Sequence, residues 1–452
     1  MSKTEFSPAD PATPAAAGNP ASDHAVPPAS DPSPSLPPTN KRALGFIFVT
    51  LVIDVLGFGL LIPVGPKLVE SLLHGGKGGT AAEAATYVGA LMTTFYCVSF
   101  FFSPLLGVLS DRFGRRPVLL IALFGSGLDF FAQALAPTLG IFFITRVING
   151  LSGASFTVAN AYVADVTPPE KRSAAFGMVG AAFGIGFVFG PLLGAFLGNI
   201  DLRLPFYVAG TLCIINWLYG YFILPESLPK ERRAPLRLAR ANPIGAYGSL
   251  TRYPVVFGLA GSLFMLNLAQ FMLHATWVLY TTHRYGWTLP QVGLSLFFVG
   301  ITSAIVQGVL ARKLIPMLGE RNSILTGLGI GVLAFIGYGA SPQGWMIYTV
   351  IVAGSIGGIA GPAMQSMITK SVRPDEQGAV QGALTSLQSL AGIFGPSIGG
   401  AVFGYYISAD RTTPVPGASF FVSAACSFIG LLIAVWALGR IPRHAPANIP
   451  TT

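Results

Sequence analysis

Four ionisable side chains lie deep inside long apolar stretches. They are Asp54, in a run that opens at Ala43, Asp129 in GSGLDFF, Arg146 in RVINGLSG, and His274. A carboxylate near a bilayer centre costs about 2.5–3.5 kcal/mol on insertion scales, so such groups rarely face lipid and are functional candidates by default. A carboxyl group in a dry, narrow site can bind and release protons at accessible pH. One proton crossing down the membrane potential supplies about 2.3 kcal/mol per 100 mV. Asp54 is suited to couple that energy to other movement: protonated on one side, neutral in transit, ionised again on the other. Asp129 has either a proton-handling or a structural hydrogen-bonding role, and Arg146 would favour an ionised partner. His274 shares a stripe with Asn267 and Gln270 at i, i+3 and i+7, which serves either as a plain polar contact or as a proton site. Asn149, Gln307, Gln365 and Gln388 are the other polar candidates for the wall of an internal cavity.

Long helices must carry these groups. The chain is 52% hydrophobic and 10% charged, against roughly 25% charged in soluble domains. A membrane span needs about 20 apolar residues. Twelve runs of that order follow one another: 43–73, 84–110, 117–136, 139–163, 172–198, 204–224, 254–282, 290–311, 322–340, 344–369, 377–406 and 418–439. None alternates with period two, so a β-barrel is excluded. The expected fold is an all-α membrane protein of twelve transmembrane helices, the longer ones tilted or kinked.

Residues 1–40 hold ten prolines and eight alanines without an apolar run, and are expected to be a disordered tail without a signal peptide. With both termini on one side, that side collects 21 of the 27 basic residues, so both ends are expected to be cytoplasmic. The net charge of +9 is thus a topology signal scattered over short loops, and no nucleic-acid partner is expected. Cys97, Cys213 and Cys426 fall within spans and are expected to be apolar filling. No cofactor and no metal is expected.

The chain repeats itself. PEKRSAAFG to GPLLGAFLG (169–199) matches PDEQGAVQG to GPSIGGAVFG (374–404): Pro169 aligns with Pro374, Gly177 with Gly382, and Gly190-Pro191 with Gly395-Pro396, all 205 residues apart. A fainter echo pairs Gly107 with Gly308. The expected division is a bundle over 41–224, a linker over 225–252, a second bundle over 253–440, and tails at 1–40 and 441–452. A parallel duplication places the working site between the halves near mid-membrane.

Two motifs stand out. GVLSDRFGRRP (107–117) joins spans two and three: Gly107 permits close helix contact, Gly114 a tight turn, and Arg112, Arg115 and Arg116 hold the loop in the cytoplasm. GFVFGPLLGAFLG (186–198) sets Gly186, Gly190, Gly194 and Gly198 four apart, a smooth ridge for close helix packing that Pro191 bends. GPSIG and GLGIG resemble nucleophile and dinucleotide loops, but neither follows a strand, so enzyme chemistry is set aside.

The loop, with LVIDVLGFGLLIP before it, resembles the drug–proton antiporter branch of the major facilitator superfamily. TWVLYTTHRYGWT (276–288), AMQSMITKSVRPDEQGAVQG (363–382) and ADVTPPEKR (164–172) resemble its tetracycline exporters. The resemblance implies that Asp111 caps the start of span eleven, at Glu376–Gly378, and that Arg115 pairs with Asp165, both contacts crossing the cytoplasmic mouth when it is shut. It implies that spans one and four line a cavity where Asp54 and Arg146 meet. GPLLGAFLG resembles the antiporter motif GxxxGPxxGG, with Ala195 in place of its last glycine. The chain departs from the tetracycline exporters where they carry an aspartate in span nine and a histidine in span eight: here stand Gly331 and Ser303. The expected function is proton-coupled efflux of small amphipathic drugs by a monomer in the inner membrane, with tetracycline weak or one cargo among several. An exporter of an endogenous metabolite or siderophore is the alternative. A nutrient importer should hold more polar cavity groups than these.

Overall fold

The computed structural model describes residues 41–152, 155–168, 172–233, 250–373, 376–409 and 412–440. The expected tails, the linker residues 234–249, and Pro169 and Pro374 of the repeat lie outside them.

In the first half, α1 covers Lys41–Leu61, α2 Gly65–Gly76, α3 Ala81–Phe113 and α4 Arg115–Leu135. α5 (Leu139–Ser152), α6 (Ser155–Asp165), α7 (Arg172–Ile200) and α8 (Leu204–Ile223) follow. The second half has α9 (Pro254–Tyr285) and α10 (Leu289–Ile305), which runs through a π-helical turn, Val306–Leu310, into α11 (Ala311–Leu318). Then come α12 (Glu320–Ala340), α13 (Gly344–Ile356), a 3-10 turn at Gly357–Ile359, α14 (Ala360–Lys370), α15 (Gln377–Ile407) and α16 (Ala418–Gly439).

Local chemistry sets several of these ends. Thr80 accepts from the Glu83 amide at 3.2 Å while Glu83 accepts from the Thr80 amide at 2.8 Å, a reciprocal cap that starts α3. Proline stands in the first turn of α8, α9 and α10, where its missing N–H costs nothing. Gly286, left-handed at φ +66°, ends α9.

Among the described residues eleven helical stretches are long and apolar enough to cross a membrane. The fourth expected span corresponds to α5 and α6, which flank residues 153–154 outside the described residues. In the second half α13 gives way to the 3-10 turn and then to α14. The starts of α4 and α12, α5 and α13, and α7 and α15 are all 205 apart. Gly114 (φ +106°) and Gly319 (φ +76°) occupy equivalent corners at that offset, so the structural register is that of this pair, not of the Gly107–Gly308 echo.

Packing repeats with the sequence. α1 lies on α7 and α4 on α8; correspondingly α9 lies on α15 and α12 on α16. Between the halves α3 packs on α15 and α7 on α10. These contacts are made backbone to backbone: a Cβ added at Gly89 would stand 2.5 Å from Pro396 O, at Gly400 2.2 Å from Ala85 O, and at Gly293 2.3 Å from the Ala195 Cβ. Close approach of this kind replaces the hydrophobic effect as the glue between helices in lipid.

Candidate functional site

Asp129 and Gln133 are one helical turn apart on the buried face of α4, opposite Arg146 and Asn149 of α5. Asp129 is 1% exposed. Its Oδ2 accepts from Gln133 Nε2 and, at 2.8 Å, from Asn149 Nδ2. Gln133 Oε1 accepts in turn from Arg146 Nη2, so one amide links the guanidinium to the carboxylate. The Arg146 guanidinium also stands 5.4 Å from the Phe142 ring centre. Among the described residues Asp129 Oδ1 and Arg146 Nε are buried without hydrogen bonds. The sequence reading missed Gln133; its i+4 spacing from Asp129 is the signal that could have found it.

Asp54 occupies a half-buried position on α1. Arg146 makes its contacts with Gln133, Phe142 and the Asp129 charge, and the expected meeting with Asp54 is not among them. Phe130, next to Asp129, fills the space against Gly57, three residues beyond Asp54. Asp54 and Asp129 thus stand on two helices, α1 and α4, that both pack on α8.

The glycine ridge of α7 packs on the turn of α1 that follows Asp54. A Cβ at Gly186 would lie 2.6 Å from Val55 Cβ, at Gly190 2.8 Å from Gly59 Cα, and at Gly194 2.0 Å from Leu60 O. Ala195, the departure from the motif, points to α10, where Gly293 leaves room for its methyl group. Pro191 is inside α7 and abuts Gly59.

In the second half, Gln270 and His274 are exposed on α9, on either side of buried Phe271. That ring meets Tyr96 of α3 at 4.9 Å, a contact between the halves, and the His274 ring at 6.2 Å. Asn267 turns back to its own helix, donating to Leu263 O at 2.8 Å. Gln307 is exposed within the π-helical turn, a feature frequent at functional sites that no sequence pattern announced. Gln388 is exposed on α15 and Gln365 half-buried on α14. Ser303 is half-buried, and a Cβ at Gly331 would meet no atom within 4 Å.

The basic loop is tied to its own half. Arg115 Nε meets Asp165 Oδ2 at 3.1 Å, as the resemblance implied, and Arg115 Nη1 meets Asp111 Oδ1 at 2.6 Å. The first contact joins α4 to α6, so the expectation that it crosses the mouth is corrected. Asp111 lies against Arg115, one turn on, and the start of α15 is held by another group. There Glu376 accepts from Tyr253 Oη and from Arg252 Nη1, each at 2.6 Å. These two hydrogen bonds hold the Glu376 carboxyl below the usual glutamate range.

Glu226, which nothing in the sequence marked, caps α4. Its Oε1 accepts from the amides of Arg115 at 2.9 Å and Arg116 at 3.4 Å, where the helix dipole favours an anion. A Cβ on Gly114 would come within 2.3 Å of Glu226 Oε2, so the corner needs glycine for space as well as for its φ. Arg116 donates to Tyr221 O at 2.7 Å, and Arg112 is exposed. Gly107 has only Thr157 near its face, at 3.8 Å.

The two ends of the bundle differ. Away from the basic loops one apolar core joins both halves, with Val88 and Leu91 of α3 beside Phe403 of α15 and Trp277 of α9. At the basic end there are two cores, one around Phe46, Leu119 and Tyr162, the other around Leu259, Ile324 and Met364. Between the halves the Thr93 hydroxyl donates to Ile393 O and lies 2.7 Å from Ser397 Oγ. Beyond it, Gly177, Gly180 and Gly184 on α7, Gly308 after α10 and Gly382 on α15 have no atom within 4 Å of an added Cβ. Among the described residues the halves thus share an apolar core at the end away from the basic loops and have separate cores at the basic end.

The family model for the Major Facilitator Superfamily matches residues 47–396 and 319–452. The class C tetracycline resistance protein of Escherichia coli is 36% identical over 80% of this chain and 90% of its own length. The class D protein of Salmonella ordonez is 35% identical over 90% of this chain and 100% of its own. The human organic anion transporter MFSD10 (TETRAN) superposes with a TM-score of 0.66 at 26% identity, over 88% of this chain and 100% of that one. A bacterial homologue of the human lysosomal transporter Spinster shares the fold, with a TM-score of 0.72 at 16% identity over 91% and 99% of the two chains. Motif, repeat and inter-half packing agree with these matches: the chain belongs to the Major Facilitator Superfamily, a multi-pass membrane carrier of small molecules by proton-coupled alternating access, and not an enzyme.

Proposed function

We infer that the protein is a twelve-span exporter of small amphipathic drugs, tetracycline-like compounds among them, driven by proton entry across the cytoplasmic membrane. Both termini and the basic end are cytoplasmic in this reading, α5 and α6 together form the fourth span, and two six-helix halves over 41–224 and 253–440 rock about the working site. The observation that carries it is that α1, which bears Asp54, and α4, which bears Asp129, both pack on α8, in a half that shares its apolar core with the other half at the end away from the basic loops. Drug enters from the cytoplasm while these acids are ionised. Protonation from the outside neutralises them and permits return.

Arg146 and the Gln133 amide support the charged form of Asp129, and Asn149 holds the same oxygen. Gln270, His274, Gln307 and Gln388 are exposed within helices, and polar groups so placed favour water over lipid, which supports a cavity between the halves. When the mouth shuts, Asp111 is freed to reach the start of α15. The second half offers Ser303 and Gly331 in place of ionisable groups, so the site has one charged side and one polar, aromatic side. That suits lipophilic or cationic drugs, with tetracycline one cargo among several. Inhibitory concentrations in an efflux-deficient host, across a panel with tetracyclines and with and without an uncoupler, test this. Uncoupler-sensitive resistance to several drug classes is expected. Strong resistance confined to tetracyclines defeats the breadth, and no resistance to any drug defeats drug export in favour of an endogenous metabolite.

A further inference from the structure

At the basic end, on the outer side of the second half, α9 and α16 enclose an apolar groove of about 570 Å³. Its floor is Gly258, Ala260 and Gly261, its walls Phe257, Phe264, Leu432 and Trp436, and Leu387 of α15 closes one side. Glycine makes the floor deep: α9 and α16 touch at Gly258, where an added Cβ would lie 2.5 Å from Ala437 Cβ, leave more room at Gly261, where the nearest atom is Ile433 Cγ2 at 3.7 Å, and close again at Gly430, where an added Cβ would lie 3.2 Å from Met265 Cβ. The size lies within the range of about 300–1,000 Å³ typical of small-molecule sites.

The rim of this groove is basic. The Arg440 guanidinium stands 3.9 Å from the ring centre of Trp436, and Thr251 brings Arg252 to the same end. Arg252 is paired with Glu376, leaving Arg440, exposed, as positive charge over an apolar slot. Neutral lipid tails would satisfy the slot alone. An arginine laid over an interfacial tryptophan at its mouth complements a negatively charged headgroup as well.

We propose that the groove between α9 and α16 is a binding site for one anionic phospholipid, its acyl chain against Phe257, Phe264 and Gly261 and its phosphate on Arg440. Arg440 acts on the headgroup directly. Gly261 acts by leaving the chain its room.

Trp436 in the wall supplies the readout. The full chain is reconstituted in phosphatidylcholine vesicles carrying rising fractions of brominated phosphatidylglycerol or brominated phosphatidylcholine. Quenching assignable to Trp436 is the difference from Trp436→Phe. Half-quenching is expected at a fraction of phosphatidylglycerol about fivefold below that of phosphatidylcholine, the preference that one arginine near a membrane surface confers. Arg440→Gln is expected to erase the preference. Gly261→Leu, which leaves both arginines in place, is expected to erase it by filling the slot. Equal quenching by the two lipids overturns the proposal, and so does a preference that survives either substitution. Displacement of brominated phosphatidylcholine by tetraphenylphosphonium, without any preference for the anionic lipid, also overturns it and assigns the groove to a lipophilic cation.

Discussion

Lys370 meets Glu320 at 2.7 Å where α14 ends beside the start of α12, and 205 positions earlier Asp165 meets Arg115 at 3.1 Å where α6 ends beside the start of α4. The two halves keep one tie in one place with its signs exchanged. The surroundings differ. The Arg115 side chain is 12% exposed and also holds Asp111 and Ser110, whereas that of Lys370 is 70% exposed.

Arg115→Ala should therefore lower stability by about 1–3 kcal/mol, the scale of lost charge-assisted hydrogen bonds, and Lys370→Ala by about 0–1 kcal/mol, as for exposed pairs. Melting of the purified chain in detergent measures both. Arg115→Glu with Asp165→Lys, which copies the second half, should melt above either single variant. Equal losses at Arg115 and Lys370 would contradict the difference in burial.

Glycines at the two ends should fail differently. Gly190→Leu drives a side chain into the Gly59 backbone, 2.8 Å from where its Cβ would stand, and should prevent folded protein from accumulating. An added Cβ at Gly180 meets no atom within 4 Å, so Gly180→Leu should fold, yet block closing of the basic end. Labelling of a cysteine placed at the opposite end should fall in that variant while expression stays normal.

Asp54→Asn should abolish proton-coupled export while leaving the protein in the membrane. Asp129→Asn keeps a similar shape but leaves Arg146 facing a neutral amide network, so it should cost activity and some stability together. Full uncoupler-sensitive export by a normally expressed Asp54→Asn chain would move coupling to Asp129.

Glu376 gives a pH signature outside the spans. Its carboxyl is held below the ordinary value of 4.5 by the hydrogen bonds from Tyr253 and Arg252, so the folded protein binds its proton less readily than the unfolded chain. The tie between α9 and α15 is then fully present above the unfolded value and is lost as pH falls through the lower, folded one. The melting difference between the native chain and Glu376→Gln should be constant near neutrality and vanish in acid below the usual glutamate range. A difference that grows on acidification would refute the assignment.

The sequence alone determined the helical membrane class, the duplication and the family. Each depends on chemistry local to the chain: apolar length for spans, glycine and proline spacing for the repeat, and a fixed pattern of charge and turn residues in 107–117. Asp54, Asp129, Arg146 and His274 were legible because a charge in an apolar run is conspicuous wherever the run goes. Their partners were not. Arg146 joins Asp129 through Gln133 because α4 and α5 present those faces to each other, and no single helix encodes that choice. Glu226 caps α4 from over a hundred residues away. The core shared by the halves is likewise a matter of tertiary structure: Val88 and Leu91 meet Phe403 and Trp277 there from helices far apart in the chain.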